Sequence, residues 1–482
     1  MDGFGDDIFY IMKSNSTRIA FVTVIFTALT ATGEPFEAVN EEIGLKGLPD
    51  LYAAFGDYNN DGWVDLYNGG RLWRNDRGTY TFIRGHGLIN EPGIWADYDN
   101  DGRLDLYKWM SNKLYRNVNG EKFIDVSDKL PPAPMASSKG ACWGDFNGDG
   151  FVDIYVGGWE EPGYQPDAIY LNAGNGEFRL HWKEAKNHRP ARGVTAADID
   201  GDGDLDIYVS NYRLEQNLLW INDGKAMFEE VAFERDAGGI YGDVGACGHT
   251  IGSAIGDLDN DGLFDIFIGN FSHPAAYQDR PQFLRNMGPD HGFKFKDMSS
   301  TAKLHWQESY ASPALGDYDN DGDLDLYMTT VYGGDRGVLY RNDGNWKFTN
   351  VTKEMGVDTE ISEQAAWADF DNDGDLDLCT NGTMYRNPGF PDHHWLKVRV
   401  FGGGTVNRAG IGTSVRIDLP NTILVRQVEG ATGGGNQNDL TLHFGLGQHD
   451  QDVTLNVYWP DGTKQKVTAV VDQRIDVRYE SP

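Results

Sequence analysis

Residues 97–105 read Asp97-Tyr98-Asp99-Asn100-Asp101-Gly102-Arg103-Leu104-Asp105, an acidic nine-residue loop of the form D-x-[DN]-x-D-G-x-x-D. This form occurs seven times, and each copy runs into a short stretch of alternating apolar residues. The copies, here called acidic loops 1 to 7, begin at Asp57, Asp97, Asp145, Asp198, Asp257, Asp317 and Asp369. Successive starts lie 40 to 60 residues apart, and recurrence at this spacing predicts a repeat architecture.

Each acidic loop gathers several carboxylates around a tight turn. Without a counter-charge these groups repel one another, and a hard cation that binds oxygen relieves the repulsion. Calcium fits because it tolerates irregular shells of carboxylate and carbonyl oxygens. We expect the side chains at positions 1, 3, 5 and 9 and the carbonyl at position 7 to bind the ion, while glycine at position 6 permits the bend. The sequence therefore predicts up to seven Ca²⁺ sites.

The predicted calcium ligands occupy the same five positions in every acidic loop. They are Asp57, Asn59, Asp61, Trp63 and Asp65; Asp97, Asp99, Asp101, Arg103 and Asp105; Asp145, Asn147, Asp149, Phe151 and Asp153; Asp198, Asp200, Asp202, Asp204 and Asp206; Asp257, Asp259, Asp261, Leu263 and Asp265; Asp317, Asp319, Asp321, Asp323 and Asp325; and Asp369, Asp371, Asp373, Asp375 and Asp377. In acidic loops 1 and 3 an asparagine replaces the carboxylate at position 3.

Two other interpretations of the acidic loops fail. An EF-hand loop ends with a bidentate Glu at position 12 between two helices. Here no copy has Glu at position 12, which is Asn68, Lys108 and Val156 in the first three loops, and a strand pattern follows. A plain Asp/Asn/Gly turn explains one copy. It does not explain seven copies in which the same four positions are filled.

Four strand-like segments accompany each acidic loop. A run of small and apolar residues precedes the loop and a second segment follows it. Third segments end at Asn75, Asn117, Asn172, Asn222, Asn286, Asn342 and Asn387, and fourth segments surround Phe82, Phe123, Phe178, Phe228, Phe295 and Phe348. Only six fourth segments follow a loop, and residues 36–39 near the N-terminus are similar to the missing one.

A closed ring requires such a circular offset, because joining the first and last sheets removes the free edges. The predicted fold class is therefore all-β, a seven-bladed β-propeller whose N-terminal strand completes the last blade, followed by a small β-domain. The small-residue first strands would line the axis of the ring.

These motifs carry a family resemblance. The acidic loops and the strands after them resemble the FG-GAP/VCBS repeats of integrin α-chain propellers. Segments 394–398, 407–412, 443–447 and 459–462 are similar to the ASPIC/UnbV domain, and the whole pattern resembles the cartilage acidic protein family and its bacterial relatives. Thr413 and Asn436-Gln437 depart from the family pattern. The EGF-like module of vertebrate members is lacking here, so the resemblance implies their matrix role only in part.

The predicted domain organisation has three parts: a signal or targeting segment at 1–32, the propeller at 33–389 and the β-domain at 393–480. Six strands are expected in the β-domain, with a hairpin turn at residues 460–462. The glycine runs at 402–404 and 433–435 are predicted as loops, and the alternative is a cradle of backbone amides for an anion. The proline-containing linker 387–392 predicts that the β-domain packs near the propeller.

The N-terminal segment predicts export. From Met12 the chain has a basic stretch, an apolar run at 19–29 and small residues at 30–33, the pattern of a secretion signal, although an uncleaved anchor is the alternative and residues 1–11 are acidic. A secreted or cell-surface location would supply the millimolar calcium that weak sites need. Cys142, Cys247 and Cys379 are too few for a disulfide framework.

Charge restricts the partners. Seventy-four acidic residues outweigh 41 basic ones, giving a net charge of −33, and no run of Lys or Arg exists. Nucleic acid and anionic membranes both need basic patches, so neither is an expected partner, and no membrane insertion is expected after signal removal. An extracellular protein or glycan remains, and the sequence does not indicate the oligomeric state.

Two function classes follow, and no catalytic motif decides between them. The first is an adhesion, matrix-binding or glycan-binding module that uses the loops at one mouth of the propeller. The second is a calcium-dependent polysaccharide lyase or hydrolase. Candidate mouth residues are Glu160-Glu161, the insertion 236–249 and the aromatic residues Trp159, Tyr164, Tyr241 and Tyr332. Convergence of Arg or Lys with His or Tyr in this mouth would favour the enzyme.

Overall fold

Every acidic loop ends where a strand begins, because the position-9 aspartate is the first residue of that strand in all seven copies. This arrangement is seen in a computed structural model that describes residues 33–185, 188–241, 246–271 and 280–481. The predicted signal segment 1–32 and the sequence before Met12 lie outside the described residues. Residues Gly33–Pro482 form one compact unit.

Seven four-stranded antiparallel sheets make up the repeat region. Blade 1 contains β2 (Ala53–Gly56), β3 (Asp65–Asn68), β4 (Arg71–Asn75) and β5 (Tyr80–Ile83); blade 2 contains β6 (Ile94–Ala96), β7 (Asp105–Lys108), β8 (Lys113–Val118) and β9 (Lys122–Asp125); and blade 3 contains β10 (Ser138–Gly144), β11 (Asp153–Gly158), β12 (Ala168–Asn172) and β13 (Phe178–Lys183). Blade 4 contains β14 (Ala191–Ala197), β15 (Asp206–Asn211), β16 (Leu218–Asn222) and β17 (Phe228–Glu230); blade 5 contains β20 (His249–Gly256), β21 (Asp265–Phe271), β22 (Gln282–Asn286) and β23 (Phe295–Asp297); and blade 6 contains β24 (Pro313–Gly316), β25 (Asp325–Met328), β26 (Val338–Asn342) and β27 (Phe348–Asn350). Blade 7 contains β28 (Ala365–Ala368), β29 (Asp377–Thr380), β30 (Thr383–Arg386) and the N-terminal strand β1 (Glu37–Ala38).

Smaller elements lie between and after the blades. β18 (Ile240–Tyr241) and β19 (Ala246–Cys247) form a hairpin in the predicted insertion, and short helical turns span Ser127–Lys129, Pro289–His291 and Ser299–Ala302. Cys142 and Cys379 are buried in β10 and β29, and Cys247 is half-buried.

The N-terminal strand closes the ring. β1 pairs with β30 through Glu37 opposite Arg386 and Ala38 opposite Tyr385, so the last blade has four strands in the order β1-β30-β29-β28. The innermost strands of consecutive blades contact one another around the ring, and β28 contacts β2. The predicted closed seven-bladed propeller is therefore confirmed.

The asparagine that ends each third segment joins neighbouring blades. In blade 1, Asn75 Nδ2 donates to Phe370 O of blade 7 at 2.7 Å and to Val64 O of its own acidic loop at 3.0 Å. The corresponding asparagines bond the preceding blade in the same way: Asn117, Asn172, Asn222, Asn286, Asn342 and Asn387. Because these amides and carbonyls are buried, each pair satisfies polar groups that would otherwise be costly to bury.

The tail forms two sheets from β31 (His394–Phe401), β32 (Ser414–Asp418), β33 (Ile423–Gln427), β34 (Leu442–Gly447), β35 (Val453–Tyr458), β36 (Lys464–Ala469) and β37 (Gln473–Arg478), in the orders β34-β31-β37 and β33-β32-β35-β36. The six predicted strands are present with shifted ends. β37 was not predicted, and it runs parallel to β31. Arg474 in β37 and Lys397 in β31 contact the acidic loops, so the tail lies against that end of the propeller.

Residues 429–439 of the tail, here called the plug loop, enter the axis of the ring. Gln437 exchanges backbone bonds with Ala53 and Phe55 of blade 1, and its side-chain amide bonds both backbone groups of Trp95 in blade 2. Gly433 N donates to Ser253 O of blade 5, and Asn438 Oδ1 accepts from the Trp367 amide of blade 7. The glycine run 433–435 is thus a packed loop: a Cβ on Gly433 would lie 2.7 Å from Pro313 O.

Candidate metal centres

The backbone of each acidic loop is held by its own aspartates. Asp97 Oδ1 and Oδ2 accept from the amides of Asp101 and Gly102 at 3.0 and 2.7 Å, and Asp101 Oδ1 accepts from the position-7 amide of Arg103 at 3.1 Å. Position-6 glycines adopt φ between 86° and 100° in all seven loops, a conformation that only glycine adopts readily. The turn therefore brings the carboxylates of positions 1 and 3 together, with position 5 in acidic loop 2 and position 9 in acidic loops 4 to 7.

Five acidic loops bring three carboxylates together closely enough to share one ion. In each group one oxygen from every residue lies within 4.8 Å of the others; the groups are Asp97, Asp99 and Asp101; Asp198, Asp200 and Asp206; Asp257, Asp259 and Asp265; Asp317, Asp319 and Asp325; and Asp369, Asp371 and Asp377. Ligand oxygens about 2.3–2.6 Å from a calcium ion lie up to about 5 Å apart. The spacing is therefore compatible with calcium, which also accepts irregular shells of oxygen ligands.

Buried carboxylate oxygens without a hydrogen-bond partner give an independent test of this fit. Among the described aspartates they are Asp198 Oδ1, Asp200 Oδ1, Asp259 Oδ1, Asp317 Oδ1, Asp319 Oδ1 and Asp371 Oδ1, all at positions 1 or 3 of acidic loops 4 to 7, whereas the glutamate oxygens of this kind, such as Glu91 Oε2 and Glu429 Oε2, lie outside the acidic loops. A buried anionic oxygen without a donor is strongly unfavourable. A bound cation would satisfy it, so the donor set of these loops fits a hard metal ion.

Arginines neutralise the outer side of several clusters. Arg116 Nε lies 2.7 Å from Asp99 Oδ2, Arg285 Nε lies 2.7 Å from Asp259 Oδ2, and Arg386 Nε lies 3.0 Å from Asp371 Oδ2. These arginines immediately precede the asparagine of the third segment. They leave the other oxygen of Asp259 and of Asp371 without a partner, on the side of the cluster.

Burial raises the pKa of several aspartates in the acidic loops. Burial is the main reason that the pKa of Asp97 is raised to about 7, and the charges of Asp101 and Asp99 raise it further while the Gly102 amide opposes the shift. Burial likewise raises the pKa of Asp198 and of Asp257 to about 7. A proton and a metal ion therefore compete for these oxygens.

Position 9 has a structural function in all seven loops. Asp105 Oδ1 accepts from the Asn117 amide at 2.7 Å and Oδ2 accepts from the Tyr98 amide at 3.3 Å. The other six position-9 residues repeat both bonds: Asp65, Asp153, Asp206, Asp265, Asp325 and Asp377. This carboxylate fastens the loop to the third strand whether or not it also binds a metal ion.

Acidic loops 1 and 3 differ from the other five. The Asn59 amide donates to Asp61 Oδ2 at 2.8 Å, and the Asn147 amide donates to Asp149 Oδ2 at 3.0 Å. Neither loop has three carboxylates within the spacing found in the other five among the described residues. Calcium binding by all seven loops, and by the position-7 carbonyls of Trp63, Arg103, Phe151, Asp204, Leu263, Asp323 and Asp375, stays a prediction.

Sequence reasoning missed position 4. It is Asn60, Asn100, Gly148, Gly201, Asn260, Asn320 or Asn372, and each has a positive φ between 54° and 72°, which Asn and Gly tolerate best. Asn60 and Asn100 also donate to the position-6 carbonyls of the next blade, Gly102 O and Gly150 O. The restriction of this position to Asn and Gly in seven copies was the signal in the sequence.

The predicted mouth lies at the other end of the blades. β11 runs from acidic loop 3 to Gly158, and beyond it Glu160 Oε1 accepts from Arg192 Nη2 at 3.0 Å and Arg213 Nη2 at 3.1 Å. The Arg192 guanidinium lies over the rings of Tyr212 at 4.5 Å and Trp159 at 5.7 Å. We call Trp159, Glu160, Arg192, Tyr212 and Arg213 the mouth cluster.

Two other predicted mouth aromatics, Tyr164 and Tyr332, are outside this cluster. Tyr332 packs against Phe271 at 5.2 Å between ring centres, and Tyr164 is exposed. Tyr241 pairs with Ala246 in the β18–β19 hairpin. The mouth cluster therefore contains Trp159 and Glu160 of the predicted residues, and three more that the sequence did not single out.

Comparison with known proteins agrees with this geometry. A family model for FG-GAP-like repeats matches residues 97–156, 158–209, 257–328 and 317–380, and a model described as ASPIC and UnbV matches residues 403–481. The chain belongs to the FG-GAP-repeat proteins with a C-terminal ASPIC and UnbV domain. The residues matched by the FG-GAP model lie in blades 2 to 7 of the ring, and acidic loop 1 in blade 1 has the same sequence form as the loops of those blades.

Curated relatives of this FG-GAP-repeat protein share one name. Cartilage acidic protein 1 of Xenopus tropicalis is 24% identical over 403 residues, which cover 77% of this chain and 60% of that protein. Cartilage acidic protein 1 of Homo sapiens is 25% identical over 378 residues, covering 72% of this chain and 54% of the human protein. The chain thus spans less than two thirds of the length of these relatives.

A solved structure similar to this FG-GAP-repeat protein is an Agrocybe aegerita lectin described by its specific recognition of non-reducing terminal N-acetylglucosamine. The TM-score is 0.40 at 18% identity, and the match covers 65% of this chain and 81% of the lectin. No helix among the described residues is long and apolar enough to cross a membrane.

Proposed function

We propose that the protein is a secreted, calcium-binding propeller that acts as an adhesion module for an extracellular protein or glycan. The observation that carries the proposal is the set of buried, unpaired carboxylate oxygens in acidic loops 4 to 7. Five loops offer three convergent carboxylates each, and oxygen-only donor sets of this kind suit calcium. The similarity to cartilage acidic protein 1 supports an extracellular setting.

Calcium would make the ring rigid enough to present its loops. Each ion would hold together the acidic loop between the first two strands of a blade. The position-4 asparagines Asn60 and Asn100 already donate hydrogen bonds to the acidic loop of the next blade. A ring held in this way displays loops at the opposite end, where loops of propellers commonly bind ligands. The mouth cluster offers stacked aromatic and guanidinium faces, which suit a polar ligand with planar or sugar-ring faces.

The test begins with the metal. Isothermal titration of the chelator-stripped chain with Ca²⁺ should show binding with a stoichiometry near five, and Mg²⁺ at the same concentration should bind more weakly because it demands near-ideal octahedral geometry and dehydrates reluctantly. Arrays of matrix proteins and glycans should then show calcium-dependent capture. Absence of calcium binding at millimolar concentration would contradict the proposal.

A second candidate function is a calcium-dependent lyase or hydrolase for acidic polysaccharides. Arg192, Arg213 and Tyr212 converge in the mouth, which is the feature that favours this alternative, and Lys139 lies 6.0 Å from the Trp159 ring. Glu160 Oε1 is nevertheless paired with two arginines, which orients this carboxylate as a structural partner rather than a free acid or base.

Turnover separates the two functions. The chain should release no unsaturated or reducing ends from uronate polymers when calcium is present. Steady release that disappears in Glu160→Gln, with the melting temperature unchanged, would establish the enzyme instead.

A further inference from the structure

A cleft of about 640 Å³ lies between acidic loops 1 and 2 and the tail. Five arginines line it, from four separate segments of the chain: Arg103, Arg399, Arg408, Arg474 and Arg478. The protein has a net charge of −33, and the five residues are scattered along the sequence, so the cluster arises only when β31 and β37 lie side by side on the propeller. This volume is in the range of small-molecule sites, about 300–1,000 Å³.

Most of the hydrogen bonds made by these arginines orient the guanidinium groups without neutralising them. Arg474 Nη1 donates to Gly62 O at 3.0 Å, Arg408 Nη1 donates to Gly402 O at 3.0 Å, and Arg399 Nη1 donates to Ala409 O at 3.2 Å. Backbone carbonyls accept these bonds but carry no net charge. Each guanidinium has five N–H donors, so several remain for a ligand.

Carboxylate partners in the cleft are few. Asp476 is shared by Arg474 Nε at 3.4 Å and Arg478 Nη2 at 3.8 Å, and Arg103 Nη1 lies 3.7 Å from Asp101 Oδ1. In the part of the chain that the structure describes, Arg399 and Arg408 form no ion pair. Burial, and then the nearby charge of Arg474, lower the pKa of Arg399 against the attraction of Asp439. A buried cation of this kind is stabilised by an anion.

The aromatic floor of the cleft keeps two of the arginines in place. Arg478 lies over the Phe401 ring at 4.4 Å, and Arg399 lies over it at 5.2 Å. Both guanidinium groups are therefore pre-ordered by stacking, which reduces the entropy that a ligand has to overcome.

We propose that this cleft binds a ligand of roughly disaccharide size that carries two or more sulfate or carboxylate groups, with Arg408, Arg474 and Arg478 as the binding residues. Arginine forks match both oxyanions in a bidentate geometry. The inference goes beyond the proposed function and does not rest on it, because no residue of the mouth cluster takes part. Calcium in acidic loop 2 would strengthen binding by neutralising Asp97, which lines the cleft together with Asp57 and Asp61 of acidic loop 1.

Isothermal titration of the full chain with sucrose octasulfate, a disaccharide with many sulfate groups, tests the inference. Binding at low ionic strength should weaken as NaCl is added. Arg478→Gln and Arg408→Gln should each weaken it about tenfold, a change of about 1.4 kcal/mol. Arg179→Gln is the matched control: Arg179 is exposed on β13 and does not line the cleft, so this variant should leave the affinity unchanged. Melting temperatures within one degree or so of the parent would show that the variants fold.

The arms of the experiment separate the sources of ligand and the role of calcium. Inorganic sulfate should compete only at much higher concentration, and competition at equal molarity would mean that the cleft takes a single oxyanion, against the inference. No binding of sucrose octasulfate, or equal binding by the cleft variants and Arg179→Gln, would also overturn it. Binding that persists in EDTA but is lost in the two cleft variants would support the inference and show that the cleft does not need calcium.

Discussion

Removal of calcium should destabilise the folded ring by an amount that can be worked out from the acidic loops. An ion that binds only the folded state contributes RT ln(1 + [Ca]/Kd), about 1.4 kcal/mol per site when calcium is at ten times Kd. The five three-carboxylate groups, treated as independent, therefore contribute about 7 kcal/mol. An unfolding entropy of about 2.1 cal/mol/K per residue over the unit Gly33–Pro482 converts this into a melting shift of about 7 °C.

A variant of one acidic loop tests the same calculation for a single site. Asp198→Asn keeps the shape of a residue whose Oδ1 is buried without a partner, so it should lower the melting temperature by about 1–2 °C in calcium. In EDTA it should have no cost, because removing one charge relieves the repulsion from Asp202 and Asp200. The assay is calorimetric melting in calcium and in EDTA, and the matched control is Asp290→Asn in an exposed turn.

Two results would refute the reasoning: a melting temperature that EDTA leaves unchanged, or a cost of Asp198→Asn that is the same with and without calcium. Either would mean that the acidic loops are plain turns held by their own hydrogen bonds.

Three further predictions concern ring closure, the plug loop and pH. Deletion of residues 33–44 should lower the melting temperature of the whole unit, because Phe36 is buried and β1 completes the last blade; loss of only local protection near Arg386 by hydrogen exchange would contradict this. Gln437→Ala should lower the free energy of unfolding by about 2–4 kcal/mol in denaturant titration, because two buried backbone groups of Trp95 lose their partners. Gln448→Ala, at an exposed position, should leave the free energy of unfolding almost unchanged. Equal losses in the two variants would argue against stabilisation of the ring by the plug loop. Burial raises the pKa of Glu429 from 4.5 to about 7, so the folded state binds this proton more tightly than the unfolded state does. The free energy of unfolding should therefore fall as pH rises from about 4.5 to about 7, by at most about 3 kcal/mol. Glu429→Gln should remove that part of the pH dependence, and an unaltered profile of stability against pH would exclude the effect.

The repeat could be predicted from the sequence because its physical causes are local. Glycine at position 6 and the alternating residues after Asp65 or Asp105 specify a turn and a strand within a dozen residues. The same local pattern recurs in all seven copies. Ring closure was also visible, because the unmatched segment at residues 36–39 has only one free edge to join. The glycine bend at position 6 is present in all seven loops, and the binding of calcium stays a prediction.

The ends of the tail strands and the partners of its loops could not be predicted in the same way. β37 has a weak pattern and forms because β31 offers it a free parallel edge. The glycine run 433–435 has the composition of an exposed loop, yet it packs in the axis because only glycine allows the backbone to approach Pro313 O and Ser312 so closely.

What the sequence alone determined is thus whatever neighbouring residues decide among themselves: seven acidic turns, the strands that follow them, a closed propeller and a small β-domain. What only the tertiary structure decided is how distant segments meet. It placed the plug loop in the axis, paired Glu160 with Arg192 and Arg213, and gathered five arginines from residues 103 to 478 into one cleft. Such charges attract or repel only through space, so their arrangement depends on packing between sheets and has no periodic trace in the chain.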